Sequence, residues 1–366
     1  MKNRSLVFLL ICLVTVTNVP YLYNVSGQQS LNYVILFDES HGQVFNRTLM
    51  DTALDSLTNI TIEDPDTEIV VKLLFQTESR FNSTNLQGVD LLIFTNPGLE
   101  EEDNLEQAER EAILDFTELG GSLFLLCNPL TQQDNITGHP TTMNDLLIER
   151  EDWLTSARFM FGVNQSFARV IVDDFNSTYG NETYVTFNEY NSTKIIFNQN
   201  TVDFFRQETE IDNVTIYSNS ISLGNERLDE DILDKTIQVG KTPITSYAIN
   251  EDYDIYRDPT NGFLTWLFAK KTGGTRFAMS GSTIMFSDLE IAENTTWIEQ
   301  NQNLELWNNL ILWLLKYTPH PERDPPAVWV FENYALLVFA ISAAIFGISV
   351  LVFRYRNKRR TTVKIK

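Results

Sequence analysis

Cysteine and histidine are scarce in this chain, and bases are far outnumbered by acids. Of the 2 cysteines, Cys12 falls in a leader-like segment, so Cys127 stands alone in the remainder and no internal disulfide can close there. The 3 histidines, His41, His139 and His320, are scattered and make no zinc ligand set with one thiol. The acidic stretches also lack the Asp-x-Asp-x-Asp-Gly spacing of a calcium loop, so no metal and no cofactor are expected. Lys and Arg number 27 against 49 Asp and Glu, and many of those bases are gathered at the two ends. The middle of the chain is therefore strongly anionic, which excludes nucleic acid and anionic headgroups as its partners. Without disulfides or metal, stability must come from packing.

Two apolar runs frame this acidic middle. Lys2 and Arg4 precede the run from Leu6 to Val16, the layout of a signal peptide covering residues 1–27. Tyr334 to Phe353 carries no charge and as a helix is long enough for a hydrocarbon core of roughly 30 Å. A membrane helix is expected over 329–353, with a proline-rich stalk at 319–328 containing Pro319, Pro321, Pro325 and Pro326. Arg354, Arg356, Lys358, Arg359, Arg360, Lys364 and Lys366 follow with no acid among them, so residues 354–366 are expected to be cytoplasmic. The middle is then extracellular or lumenal. Asn-x-Ser/Thr acceptors at Asn24, Asn46, Asn59, Asn82, Asn135, Asn164, Asn176, Asn181, Asn191, Asn213 and Asn294 all fall on that side.

Within the middle, Tyr33–Phe37, Ile69–Phe75, Asp90–Phe94 and Ser122–Leu126 read as short buried strands. Helices are expected from Val44 to Leu57 and from Glu100 to Leu119, the latter with Leu105, Ala108, Ala112, Ile113 and Phe116 at helical spacing. Asn96-Pro97-Gly98 is a turn, and Gly120-Gly121 ends the second helix. Strand and helix alternate, which predicts an α/β domain with a mainly parallel sheet covered on both faces, its first part at 32–166. A β-rich insertion is expected over 167–224, where strand-like runs alternate with Asn, Gly, Asp and Ser. The alternation should resume over 225–318, after an acidic loop at Asn225–Asp234, with Arg276–Met279 as a strand and Leu304–Tyr317 as an amphipathic helix.

Particular residues carry a resemblance. The strand and turn from Val34 to Gln43, the segment from Asp90 to Gly98 and the helix-Gly-Gly-strand unit ending at Leu126 resemble the flavodoxin-like domain of class I glutamine amidotransferases. They are more similar to its non-catalytic GIFT-type relatives, found in intraflagellar transport proteins and in the oligosaccharyltransferase beta subunit (DDOST). Ser280-Gly281-Ser282, Phe286-Ser287-Asp288, then Asn303 before Trp313 and Lys316 resemble the end of the lumenal domain of the beta-subunit family. The resemblance implies a non-catalytic accessory subunit of an oligosaccharyltransferase-like N-glycosylation complex, partnered in the membrane by a multispan glycosyltransferase. It also implies a further β-rich domain before the membrane helix, where this chain has only the proline stalk.

Ligands of open α/β sheets bind beyond the carboxyl ends of the strands. Asp38, Ser40 and His41 follow the first strand, and with Asn96, Ser280 and Ser282 they can line a polar pocket for a sugar or peptide. The competing reading is a polar loop in which Ser40 or Asp38 caps the helix near Val44. Cys127 ends an apolar strand, where a nucleophile would need a base and a small-residue elbow; it is followed by Asn128 and Pro129. Two functions from other classes therefore stand beside the accessory subunit: a stand-alone surface module binding glycan or peptide, and a Cys127-dependent hydrolase or amidotransferase.

Overall fold

The computed structural model describes residues 29–60, 67–77, 80–98, 101–129, 141–149, 155, 157–160, 170–187, 213–222, 236–242, 245–249, 255–256, 264–316, 350 and 354. Contacts divide the chain into two units, Met1–Tyr317 and Thr318–Lys366. In the second, Val350 and Arg354 are described, both helical. Among the described residues no helix is long and apolar enough to cross a membrane. The leader at 1–27, the stalk, nearly all of the expected span and the Asn225–Asp234 loop lie outside those residues.

The first unit is mixed α/β. Its early strands are β1 (Gln29–Asp38), β2 (Thr67–Gln76), β3 (Leu91–Phe94) and β4 (Ser122–Leu126), followed by β5 (Arg158–Phe159). Then come β6 (Val170–Val172), β7 (Ser177–Thr178), β8 (Asn181–Phe187), β9 (Val214–Ile216) and β10 (Ile221–Ser222). The chain continues through β11 (Thr236–Lys241), β12 (Tyr247–Ile249), β13 (Ile255–Tyr256), β14 (Thr265–Thr272), β15 (Thr275–Ser280), β16 (Glu290–Ala292) and β17 (Thr295–Thr296). The helices are α1 (Asp51–Thr58), α2 (Gln107–Glu118), α3 (Thr141–Ile148) and α4 (Asn303–Leu314).

The principal sheet has 9 strands in the order β2-β1-β3-β4-β15-β14-β10-β5, with β11 also on β14. From β2 to β15 every pairing is parallel, and from β15 onward every pairing is antiparallel. Successive side chains of a strand point to opposite faces, so an unbroken apolar run can feed two cores at once. Leu91 and Ile93 join a core with Ala53 and Leu54 of α1 and Trp307, Leu310 and Ile311 of α4. Leu92 and Phe94 join the other, with Ile113 and Phe116 of α2 and Met143 and Leu146 of α3. Each such large apolar side chain contributes roughly 1.5–3 kcal/mol through its removal from water.

Several expectations need correction. The first helix begins at Asp51 and not at Val44, because Asn46 Oδ1 accepts from the backbone amides of Thr48 (2.9 Å) and Leu49 (3.3 Å) and holds a turn there. Its amino-terminal amide on Thr52 is bonded by Asp288 Oδ2 at 3.0 Å, so the helix is capped from a distant loop and not by Ser40 or Asp38. The segment from Glu100 also breaks: a short 3-10 turn at Glu101–Asp103 precedes α2, which starts afresh at a capping box formed by Glu106 and Glu109. On α2 the buried stripe includes Glu109, while Ala108 is exposed. After residue 225, strand-helix alternation gives way to the β14–β15 hairpin, where Thr272 pairs with Thr275 across Gly273 and Gly274 and Gly273 takes φ +56°. The β-rich insertion forms a sheet of β7, β8 and β9, while β6 pairs with β12 of a later segment.

Candidate functional site

The carboxyl ends of the parallel strands bring the expected site residues to one edge of the sheet: Asp38 ends β1, Asn96 follows β3 and Ser280 ends β15. They are used in two separate networks. Asp38, His41, Asn96, Ser280 and Ser282 are all fully buried.

The first network centres on His41. Its Nδ1 lies 2.8 Å from Asp38 Oδ2, and its Nε2 lies 3.1 Å from Glu109 Oε1. Phe81 stacks on the ring at 5.4 Å between centroids, and Phe94 meets it edge-on at 5.5 Å. Burial by itself opposes the charged ring, yet the hydrogen bonds and attraction of Asp38 and Glu109 prevail and raise its pKa to about 9. His41 is thus an imidazolium at neutral pH, with both ring nitrogens donating to carboxylates. Asp38 Oδ1 accepts from Ser40 N (3.1 Å) and Ser40 Oγ (2.7 Å), and Gln43 Nε2 donates to Oδ2. Glu109 is also buried, which disfavours its charge, but hydrogen bonds from His41 and from the Glu106 and Phe81 amides bring its pKa down to about 2. Arg80 Nη1 completes that group at 3.0 Å from Glu109 Oε2. Asp38 and Glu109 thus each face a cation, and Arg80 also lies 3.6 Å from the exposed Glu106.

The second network joins β3, β4 and β15. Asn128 Oδ1 accepts from the amides of Thr283 (2.8 Å) and Ile284 (3.0 Å), capping the 3-10 turn Ile284–Phe286. Thr283 Oγ1 donates to Asn96 Oδ1 at 3.0 Å, and Ser280 Oγ donates to the Ser282 carbonyl at 3.0 Å. Asn96 Nδ2, Ser282 Oγ and Asn219 Oδ1 are buried without a hydrogen-bond partner among the described residues. Cys127 is fully buried; its Sγ donates to the Asn128 carbonyl at 3.4 Å and receives Asn219 Nδ2 at 3.8 Å. Burial pushes that thiol far above the ordinary cysteine range, against a small opposing effect of the Asn219 contact. Its hydrogen-bond partners among the described residues include no base that could take the proton. We therefore expect the native thiol to resist alkylation at pH 8 and to react on unfolding; rapid modification of the folded protein would contradict this environment.

Sequence reasoning missed Glu109, Arg80, Asn128 and Asn219. Glu109 was legible: it falls on the same helical stripe as Leu105, Ile113 and Phe116, and a carboxylate on an apolar face needs a buried cation. Nothing local marks the other three.

Of the glycan acceptors, Asn59, Asn82 and Asn294 are exposed, and Asn46, Asn176, Asn181 and Asn213 are half-buried. Asn294 occupies the β16–β17 turn at φ +59°. Asn176 Nδ2 is bonded to Asp173 Oδ1 and Thr245 Oγ1, both at 3.2 Å, and Thr215 of the Asn213 acceptor is buried. Asn24, Asn135, Asn164 and Asn191 lie outside the described residues.

No protein-family model matches the chain, and no curated protein matches it. Among solved structures it is similar to the mmIFT52 N-terminal domain, at 15% identity over 78% of this chain and 99% of that one, with a TM-score of 0.49. It is also similar to the cytoplasmic protein STM3548 from Salmonella typhimurium, at 12% identity over 77% and 98% of the two chains, with a TM-score of 0.40. A third likeness, to Agd3, described as a novel carbohydrate deacetylase, has 9% identity and a TM-score of 0.34, covering 78% of this chain and 33% of that one. These likenesses have no bearing on what the chain does.

Proposed function

We propose that this chain is a non-catalytic accessory subunit of an oligosaccharyltransferase-like complex, with a flavodoxin-like, GIFT-type ectodomain that scaffolds the assembly or positions substrate. The observation that carries this reading is the use made of the sheet's carboxyl edge. Where an α/β domain of this kind would hold a nucleophile and its base, His41 is locked between Asp38 and Glu109, and Cys127 is sealed among asparagines. The segments that resemble the beta-subunit family serve the architecture: Asp288 caps α1, and Asn303 ties four backbone groups together. The single membrane pass and the lumenal or extracellular placement belong to the same proposal.

Affinity purification of the full-length chain in mild detergent should recover a multispan glycosyltransferase. Cys127→Ser should leave that recovery and the glycosylation activity of the complex near wild type, at a stability cost of roughly 1–3 kcal/mol for the buried hydroxyl. Lost activity with an unchanged melting temperature would favour the hydrolase or amidotransferase reading and sink the scaffold. Asn59→Gln, Asn82→Gln and Asn294→Gln should each raise electrophoretic mobility by one glycan, since these acceptors are exposed. Unchanged mobility in all three variants, with no response to glycosidase, would count against placement on the glycosylated side of the membrane.

One observation favours the stand-alone binding module instead. Asn96 Nδ2, Ser282 Oγ and Asn219 Oδ1 are donors and acceptors without partners among the described residues, at the edge where such sheets take ligands. These groups are fully buried, so a small sugar that reached them through an opening of this edge would raise the melting temperature of the wild type and not of Asn96→Ala.

A further inference from the structure

β2 is the outer strand of the principal sheet, 10 residues long, and among the described residues only β1 pairs with it. Its register with β1 runs without a break from Thr67 to Gln76, so the direction of its backbone groups can be read along its whole length. The Gln76 carbonyl accepts from Glu39 N at 2.7 Å and therefore faces β1. By strand alternation, Glu68, Val70, Lys72 and Leu74 also turn their backbone groups inward to β1. Thr67, Ile69, Val71 and Leu73 then present theirs outward, as a ladder with no strand paired to it among the described residues.

The side chains along this edge form a self-complementary pattern. Glu68, Val70 and Lys72 are exposed on one face, with Val70 at 41% exposure, while Ile69 is buried and Val71 packs against the opposite core. A two-fold axis beside Val70 would place a second copy antiparallel, with Glu68 opposite Lys72 of that copy, Lys72 opposite its Glu68, and the two Val70 side chains in contact. In that register Ile69 of one copy faces Val71 of the other, and both have outward backbone groups. The Val70 pair and the two charge pairs then fall at positions without ladder hydrogen bonds, where opposing side chains approach most closely. Shifting the axis by half a residue would set outward groups against inward ones, and shifting it by one residue would set Lys72 against Val70 and forfeit the charge pairs. Shifting it by two, to residue 72 or 68, would place like charges opposite each other.

We propose that β2 is a homodimerisation edge, joining two copies of this chain into one continuous sheet through antiparallel pairing centred on Val70. Such an interface is isologous, each copy giving and receiving the same contacts. The domain as a whole is acidic, so the two Glu68–Lys72 pairs select the register, and the ladder with Val70 supplies adhesion.

The test uses the full-length chain in detergent micelles, in a Cys12→Ser background. Val70→Cys should give a disulfide-linked dimer under mild oxidation, because non-bonded antiparallel partners have Cα atoms ~4.5 Å apart, within disulfide reach. Lys72→Cys should not, since the two copies of residue 72 would be offset by four residues, ~13 Å along the strands. Lys72→Glu should lower the dimer association constant about tenfold by turning both cross-strand pairs repulsive. Glu68→Lys combined with Lys72→Glu restores opposite charges and should restore the dimer. Cross-linking at 72 as efficient as at 70, or a dimer fraction untouched by Lys72→Glu, would overturn the proposal. Wild-type protein that stays monomeric by light scattering would overturn it too.

Discussion

Replacing His41 with alanine should destabilise the domain by about 3–5 kcal/mol, because it leaves the buried Asp38 and Glu109 facing each other without their shared cation. Loss of packing against Phe81 and Phe94 adds to the effect. The same network sets a pH signature. His41 is raised from 6.5 to about 9, so its stabilisation is complete below about pH 6.5 and fades as pH climbs through 9. Glu109 is lowered from 4.5 to about 2, so its stabilisation is complete above about pH 4.5 and fades as pH falls toward 2. The two shifts describe one pair and are not summed. Unfolding free energy from urea titrations followed by tryptophan fluorescence should be greatest between these limits. The His41→Ala deficit should shrink above pH 9, where the wild type also loses the proton. An unfolding free energy unchanged in His41→Ala at pH 7 would show that the cluster holds nothing together.

Asn303→Leu should cost a similar amount. Asn303 is fully buried at the start of α4; its Nδ2 donates to the carbonyls of Thr215 (3.0 Å), Met285 (3.2 Å) and Trp297 (2.8 Å). Its Oδ1 accepts from Thr215 N at 3.1 Å, so one amide closes the junction of β9, the 3-10 turn and the loop after β17. Leucine keeps the volume and strands those backbone groups, at roughly 1–3 kcal/mol for each that finds no substitute. Asn303→Asp keeps the bond from Thr215 N but sets an anion against three carbonyl oxygens, so it should be the more damaging change. Thermal unfolding decides this: an Asp variant more stable than the Leu variant would contradict the assigned hydrogen bonds.

Much of the element pattern was legible in the residues themselves. Leu91–Phe94 and Ser122–Leu126 are short apolar runs bounded by polar residues, and they form strands buried on both faces. The corrections arose where local pattern and long-range contact compete. Val44–Leu57 has helical periodicity, but the Asn46 side chain satisfies nearby amides in a turn, and the helix waits for Asp288. The hairpin of β14 and β15 departs from the strand-helix rhythm because Gly273 supplies the positive φ of a tight turn between two apolar runs.

The candidate site was legible only as a set of residue types at one sheet edge. Asp38 ends β1 and Ser40 and His41 follow within three residues, so their mutual contact follows from proximity in the chain. By itself the sequence determined the alternation that builds a two-faced sheet, the isolation of Cys127 and the acidic middle between two apolar runs. These depend on composition and on neighbours a few positions apart. Tertiary structure alone decided what the polar residues do. His41 meets Glu109 across 68 positions and Thr52 meets Asp288 across 236. A charge or amide inside a protein is stabilised by whichever partner the packed chain brings within about 3 Å, and that distance depends on the whole fold.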